Sequence, residues 1–169
     1  RAAIDSLSAE IDLTRKIAVL GEIGSGKTTF LKLLCGDLAP TGGRISIEFE
    51  GGVRRDLWER DAYLAYRQAL AFVPQEPFVS NDLLSANLLL SSEVPEADVA
   101  QAAYFAELEA DLAAFPRGLS QEIGESGVHL SGGPKTRLPL ARALSSGREH
   151  LILDDTLSAV DTKTEQALM

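Results

Sequence analysis

Gly21-Glu22-Ile23-Gly24-Ser25-Gly26-Lys27-Thr28 is the stretch that decides the fold. It matches the pattern G-x-x-x-x-G-K-[ST] without departure. Such a loop can turn its backbone N–H groups inward, because glycine has no Cβ to obstruct the turn. Those amides and the N-terminus of a following helix cradle phosphate oxygens. Lys27 adds a compact positive charge for the β/γ-phosphates, and the Thr28 hydroxyl is suited to Mg²⁺. The flanks fit this reading. Ile17-Ala18-Val19-Leu20 is a short apolar run stopped by Gly21, which predicts a strand buried on both faces. Thr28 to Cys35 carries Phe30, Leu31, Leu33 and Leu34 and stops at Gly36, which predicts a helix.

Farther along, Ile45, Ile47 and Phe49 alternate with Ser46, Glu48 and Glu50 between paired glycines, the pattern of a half-exposed strand. Ala69–Val73 and His150–Leu153 read as two more apolar strands. Leu83 to Phe115 is rich in Ala, Leu and Glu and predicts two or three helices. Lys135 to Leu144 also reads as a helix, although Pro139 lies inside it. Strands alternating with helices imply an α/β fold with a mostly parallel sheet. The last strand ends in Asp154-Asp155. A carboxylate there suits Mg²⁺ beside a phosphate loop, and the next one suits orienting or deprotonating an attacking water. The loop alone leaves kinase, GTPase and ATPase open; no Asn-Lys-x-Asp base-reading motif follows, which counts against the second.

Composition narrows the partners. The 169 residues allow one domain with a real core. Sixteen Lys+Arg against 25 Asp+Glu give a net charge of −9, which disfavours nucleic acid. The single cysteine, Cys35, cannot form an internal disulfide and suits a reduced, cytosolic setting. No apolar run approaches the ~20 residues of a membrane helix, and no signal pattern opens the chain. The chain is expected to be soluble by itself. Trp58, with Leu57, is expected in the core; His129 and His150 lack metal-like spacing, and His150 reads as structural.

Leu130-Ser131-Gly132-Gly133 precedes a helix with Arg137, Ala141, Arg142, Ala143 and Leu144. With the phosphate loop and Leu153-Asp154-Asp155, this resembles the nucleotide-binding domain of ATP-binding cassette (ABC) transporters. Val73-Pro74-Gln75-Glu76-Pro77-Phe78 resembles that family's Q-loop, and Ser158-Ala159-Val160-Asp161 its D-loop. Ile123-Gly124-Glu125-Ser126-Gly127 resembles the loop before the signature in exporters.

The resemblance implies a P-loop NTPase fold: a RecA-like parallel-sheet core over 1–75 and 146–169, interrupted by a helical subdomain over 76–145. It implies ATP held by Gly21, Glu22, Ile23, Gly24, Ser25, Gly26, Lys27, Thr28 and Thr29, and across a dimer by Ser131, Gly132 and Gly133. Mg²⁺ would take Thr28, Gln75 and Asp154; Asp155, Gln75 and Lys27 would serve catalysis. The implied partners are an ABC transmembrane domain, in the same or a separate chain, and a second nucleotide-binding domain in a head-to-tail dimer, with Asp161 at the seam. The implied place is the cytoplasmic face of a membrane.

The sequence also departs from the family's pattern. The usual catalytic glutamate is Asp155, one methylene shorter, and small misplacements can cost ~100-fold in rate. Pro134 replaces the glutamine after Leu-Ser-Gly-Gly, and Pro139 should kink the helix at ~3 kcal/mol. The first aromatic residue is Phe30, after the loop, so the usual adenine stack is missing, forfeiting ~1–3 kcal/mol of ATP binding. The family's switch histidine would lie beyond Met169, as in a fragment of a longer protein. These departures keep an alternative open: a nucleotide-binding dimerisation module with little or no hydrolysis. A soluble ABC ATPase without a membrane partner is a third reading.

Overall fold

The computed structural model describes residues 2–76, 78–89, 96–124, 130 and 132–155, without the side chains at 96–99 and 102. The chain divides into two compact units, Arg1–Ala71 and Phe72–Met169.

In the first unit, α1 spans Lys27–Leu34 and follows the glycine-rich loop directly. β1 (Ser46–Phe49) and β2 (Val53–Asp56) pair antiparallel, Ser46 opposite Asp56 and Phe49 opposite Val53. β1 shows the alternation its sequence predicts, with Ile47 and Phe49 half-buried between exposed Ser46 and Glu48. Its partner Val53-Arg54-Arg55-Asp56 has no apolar signature and was not legible. Glu48 lies across from Arg54 and the two form an ion pair, but both are largely exposed, so it adds little. α2 (Arg60–Ala69) buries Ala62 and Tyr66, one turn apart on one face. Cys35 and Leu57 are completely buried beside them in sequence-distant positions.

Two expectations fail in this unit. Ile17–Leu20 is irregular rather than a strand, and Leu20 is 90% exposed. A doubly buried strand needs ladder neighbours and apolar cover on both faces. Among the described residues the only sheets are β1–β2 and a pair farther along the chain, and neither includes this run. Trp58 is not core: it is 42% exposed and stacks on Tyr63 with ring centroids 5.7 Å apart. Leu57 takes the buried position.

β3 (Leu70–Val73), which runs across the boundary into the second unit, pairs with β4 (His150–Leu153). Between them lie α3 (Leu84–Leu88), α4 (Glu96–Phe105), α5 (Glu109–Ala114), a 3₁₀ turn at Gly118–Ser120 and α6 (Gly132–Ser145). α3 and α4 pack on α6. Leu84, Leu88, Ala106, Leu108, Ile123, Leu138, Leu140 and Ala141 form the core, and Leu153 packs against it from β4. Burying each leucine contributes about 1.5–3 kcal/mol. β4 is only half-buried, with Leu151 40% exposed, less than its apolar run implied. α6 runs unbroken through Pro139. The ring is buried beside Leu138, Leu140 and Ala141, and that burial offsets part of the lost hydrogen bond.

Candidate functional site

The glycine-rich loop folds back on itself. Ser25 N–H donates to the Glu22 carbonyl at 3.1 Å, and Phe30 N–H to the Gly26 carbonyl at 2.9 Å, the first rung of α1. Gly26 is the N-cap with φ 96°, a left-handed conformation that disfavours side chains. A Cβ there would also meet the Ala3 carbonyl oxygen at 2.7 Å, and one at Gly21 would meet Ser25 Oγ at 2.7 Å. Lys27 reaches across the loop: its Nζ donates to the carbonyls of Gly21 at 2.7 Å and Glu22 at 2.8 Å. An ammonium has three donors, so the loop's own backbone takes two and holds the charge at its mouth. No acidic residue occupies the first turn of α1. Its dipole and first-turn amides therefore favour an anion without competition.

In the second unit, β3 runs into Pro74 and Gln75, and β4 into Asp154 and Asp155. The Asp154 N–H donates to the Val73 carbonyl at 2.9 Å, which brings the two strand ends together. Asp154 is 4% exposed, whereas Asp155 faces solvent. Gln75 Nε2 donates to Asp155 Oδ2 at 3.4 Å, a long hydrogen bond. That leaves the Gln75 amide oxygen for another partner. Asp155 has φ 52°. Aspartate is among the few side chains that enter this region at modest cost.

Gly132 and Gly133 open α6, and Ser131 lies outside the described residues. So do Glu125–Gly127, His129 and the whole Ser158–Asp161 segment. Pro134 sits in the first turn of α6, where a missing N–H costs nothing. The Thr136 hydroxyl donates to the carbonyls of Gly133 at 2.8 Å and Gly132 at 3.2 Å. Arg137 Nη2 donates to Asp111 Oδ2 at 2.6 Å and ties α6 to α5. Arg142 donates to Asn87 and Phe78 carbonyls. Burial holds its guanidinium below the usual arginine value.

The phosphate loop thus forms in the first unit, and Gln75, Asp154 and Asp155 converge in the second. Among the described residues, no cluster of three His, Cys, Asp or Glu side chains could hold a metal alone. Sequence reasoning missed Asn87. Its only signal was an amide inside the apolar run Leu83-Leu84-Ser85-Ala86-Asn87-Leu88.

Comparison with known proteins covers most of the chain. The ABC transporter family profile matches residues 4–158. The pediocin PA-1 transport/processing ATP-binding protein PedD of Pediococcus acidilactici is 37% identical over 98% of this chain and 23% of its own length. The probable multidrug resistance ABC transporter ATP-binding/permease protein YheI of Bacillus subtilis (strain 168) is 37% identical over 98% of this chain and 28% of its own length. The solved structure of a bacterial Atm1-family ABC exporter with ATP bound superposes with a TM-score of 0.70 at 32% identity, over 86% of this chain and 25% of that one. The chain spans about a quarter of the length of these relatives.

Proposed function

Since the chain belongs to the ABC transporter family and has its P-loop NTPase fold, we propose that it binds Mg²⁺-ATP and hydrolyses it to drive transport. The observation that carries this reading is the loop itself, with the Lys27 ammonium held at its mouth by two loop carbonyls. A triphosphate suits that arrangement: the amides of 21–28 and the α1 N-terminus take its oxygens, and the third Lys27 donor turns to the β/γ-phosphates.

The oxygen donors fit Mg²⁺, which prefers one or two carboxylates plus phosphates to an all-protein cage. The Asp154 carboxylate and the Gln75 amide oxygen in the second unit are donors of that kind, as is the Thr28 hydroxyl in the first, and these are the residues that would hold the ion. Mg²⁺ supplies charge neutralisation on the phosphates. Asp155 orients a water and accepts its proton, and Gln75 fixes the carboxylate by donating to Oδ2. The short Asp155 side chain makes this step slow, by up to ~100-fold.

Gly132 and Gly133 at the N-terminus of α6, with Ser131, face the ATP of a second such domain in a head-to-tail dimer. Among the described residues, no helix is long and apolar enough to cross a membrane. The family reading assigns the transport path to a membrane domain, with this domain on the cytoplasmic face. The relatives' names, which join ATP binding to transport or a permease, support that partner. Their nature also favours this reading over a dimerisation module without turnover.

The test is phosphate release from Mg²⁺-ATP by the full-length protein. Steady turnover is expected, falling by ~100-fold or more in Asp155→Asn with ATP affinity retained. Turnover that ignores Asp155→Asn would remove the assigned base, and no turnover in the wild type would remove hydrolysis.

A further inference from the structure

Asn87, on α3, is completely buried, and every polar atom of its amide is used. Its Oδ1 accepts from the Ser80 N–H at 2.9 Å, the Ser80 hydroxyl at 3.1 Å and Arg142 Nη2 at 3.3 Å. Its Nδ2 donates to the carbonyls of Ser80 at 3.0 Å and Leu83 at 3.1 Å. Arg142, in the third turn of α6, closes the network. Its Nε donates to the Asn87 carbonyl at 2.6 Å and its Nη1 to the Phe78 carbonyl at 2.9 Å.

The placement of these bonds is informative. Phe78 and Ser80 lie three and five residues beyond Gln75, and α6 begins at Gly132. The backbone that leads away from Gln75 is therefore pinned to the helix whose N-terminus carries the two glycines. The bonds between Asn87 and Ser80 only close a local turn. The Arg142 bonds instead join positions 55 and 64 residues apart. A network centred on a fully buried amide with its partners satisfied favours one arrangement and resists small displacements, although the Arg142 bond to the Phe78 carbonyl lies at the surface. The guanidinium presents its donors in a fixed planar fork, so bonds to two carbonyls and an amide oxygen also fix its direction; an ammonium on a flexible stem has three donors but no such rigid geometry.

We propose that Asn87 and Arg142 are positioning residues for hydrolysis: they lock α6 to the Gln75 segment, so that Gln75 meets Asp155 only when α6 is in place. This rests on the hydrolytic reading above. Neither residue touches nucleotide; both act through Gln75.

The test compares Arg142→Lys and Asn87→Asp with wild type in the full-length protein. Mg²⁺-ATP affinity, kcat per bound nucleotide, KM and melting temperature are all measured. The proposal expects affinity and KM to hold while kcat per bound nucleotide falls on the order of 10- to 100-fold in both variants. A wild-type kcat per bound nucleotide with only a lower melting temperature would reduce the network to a structural role and overturn it. Loss of nucleotide binding in the variants would overturn it as well, because the network would then serve the binding site. A wild-type protein that binds ATP without turnover overturns the proposal and leaves the nucleotide site standing; one that binds none removes both.

Discussion

Two side chains show how a single residue's surroundings set its chemistry. Asp155 combines a left-handed backbone with a long bond from Gln75. The conformation suits aspartate, and its reach is one methylene short of glutamate. Asp155→Glu is therefore expected to raise turnover, by as much as ~100-fold, at some cost in stability from the backbone. Unchanged turnover in steady-state phosphate release would mean that reach is not what limits the step. Tyr66 is the second case. Burial, with Cys35 adding to it, pushes its phenol from 10 up to about 12. The folded state thus keeps a proton that the unfolded state releases above about pH 10. The stability this contributes is full below pH 10 and is lost as pH rises through about 12. Urea melts across that window should show a fall in stability that Tyr66→Phe makes shallower. Parallel curves for the two proteins would contradict the assignment.

At the scale of the element, α6 is the informative case, because its sequence argues against it. Pro139 forfeits a helical bond worth ~3 kcal/mol, yet the helix continues because Leu138, Leu140 and Ala141 are buried on both sides of it. Pro139→Ala regains that bond and loses about two buried methylenes, ~1.6 kcal/mol. The variant should be more stable by about 1 kcal/mol in thermal melts; a less stable variant would show that the ring's packing outweighs the bond.

What the sequence revealed about the elements follows the strength of their local signals. α1, β1, β3, β4 and the helices after Leu83 were legible from glycine stops and apolar spacing. β2 and α2 were not, since Val53-Arg54-Arg55-Asp56 and Arg60–Ala69 are too polar to announce a buried face. Ile17–Leu20 failed the other way: an apolar run says that burial would be favourable, but not that neighbours are present to supply it. The site divides similarly. Lys27, Asp154 and Asp155 were readable because a loop or a strand end dictates them, whereas Asn87 depends on contacts with Ser80 and Arg142, seven and 55 residues away.

For the whole molecule, the central claim is that this segment is the nucleotide-binding part of an ABC transporter, with Lys27 as the charge that recognises phosphate. Its two units carry different chemistry: the loop amides and the Lys27 ammonium proposed for phosphate in one, a carboxylate pair and the Gln75 amide in the other. The net charge of −9 makes the local positive end of α1 and Lys27 the more telling, since the chain as a whole repels phosphate. Equilibrium dialysis of the full-length protein against Mg²⁺-ATP, beside Lys27→Ala, tests the claim most directly. The account predicts saturable binding that Lys27→Ala loses. Binding that survives in Lys27→Ala, or none in the wild type, would contradict it.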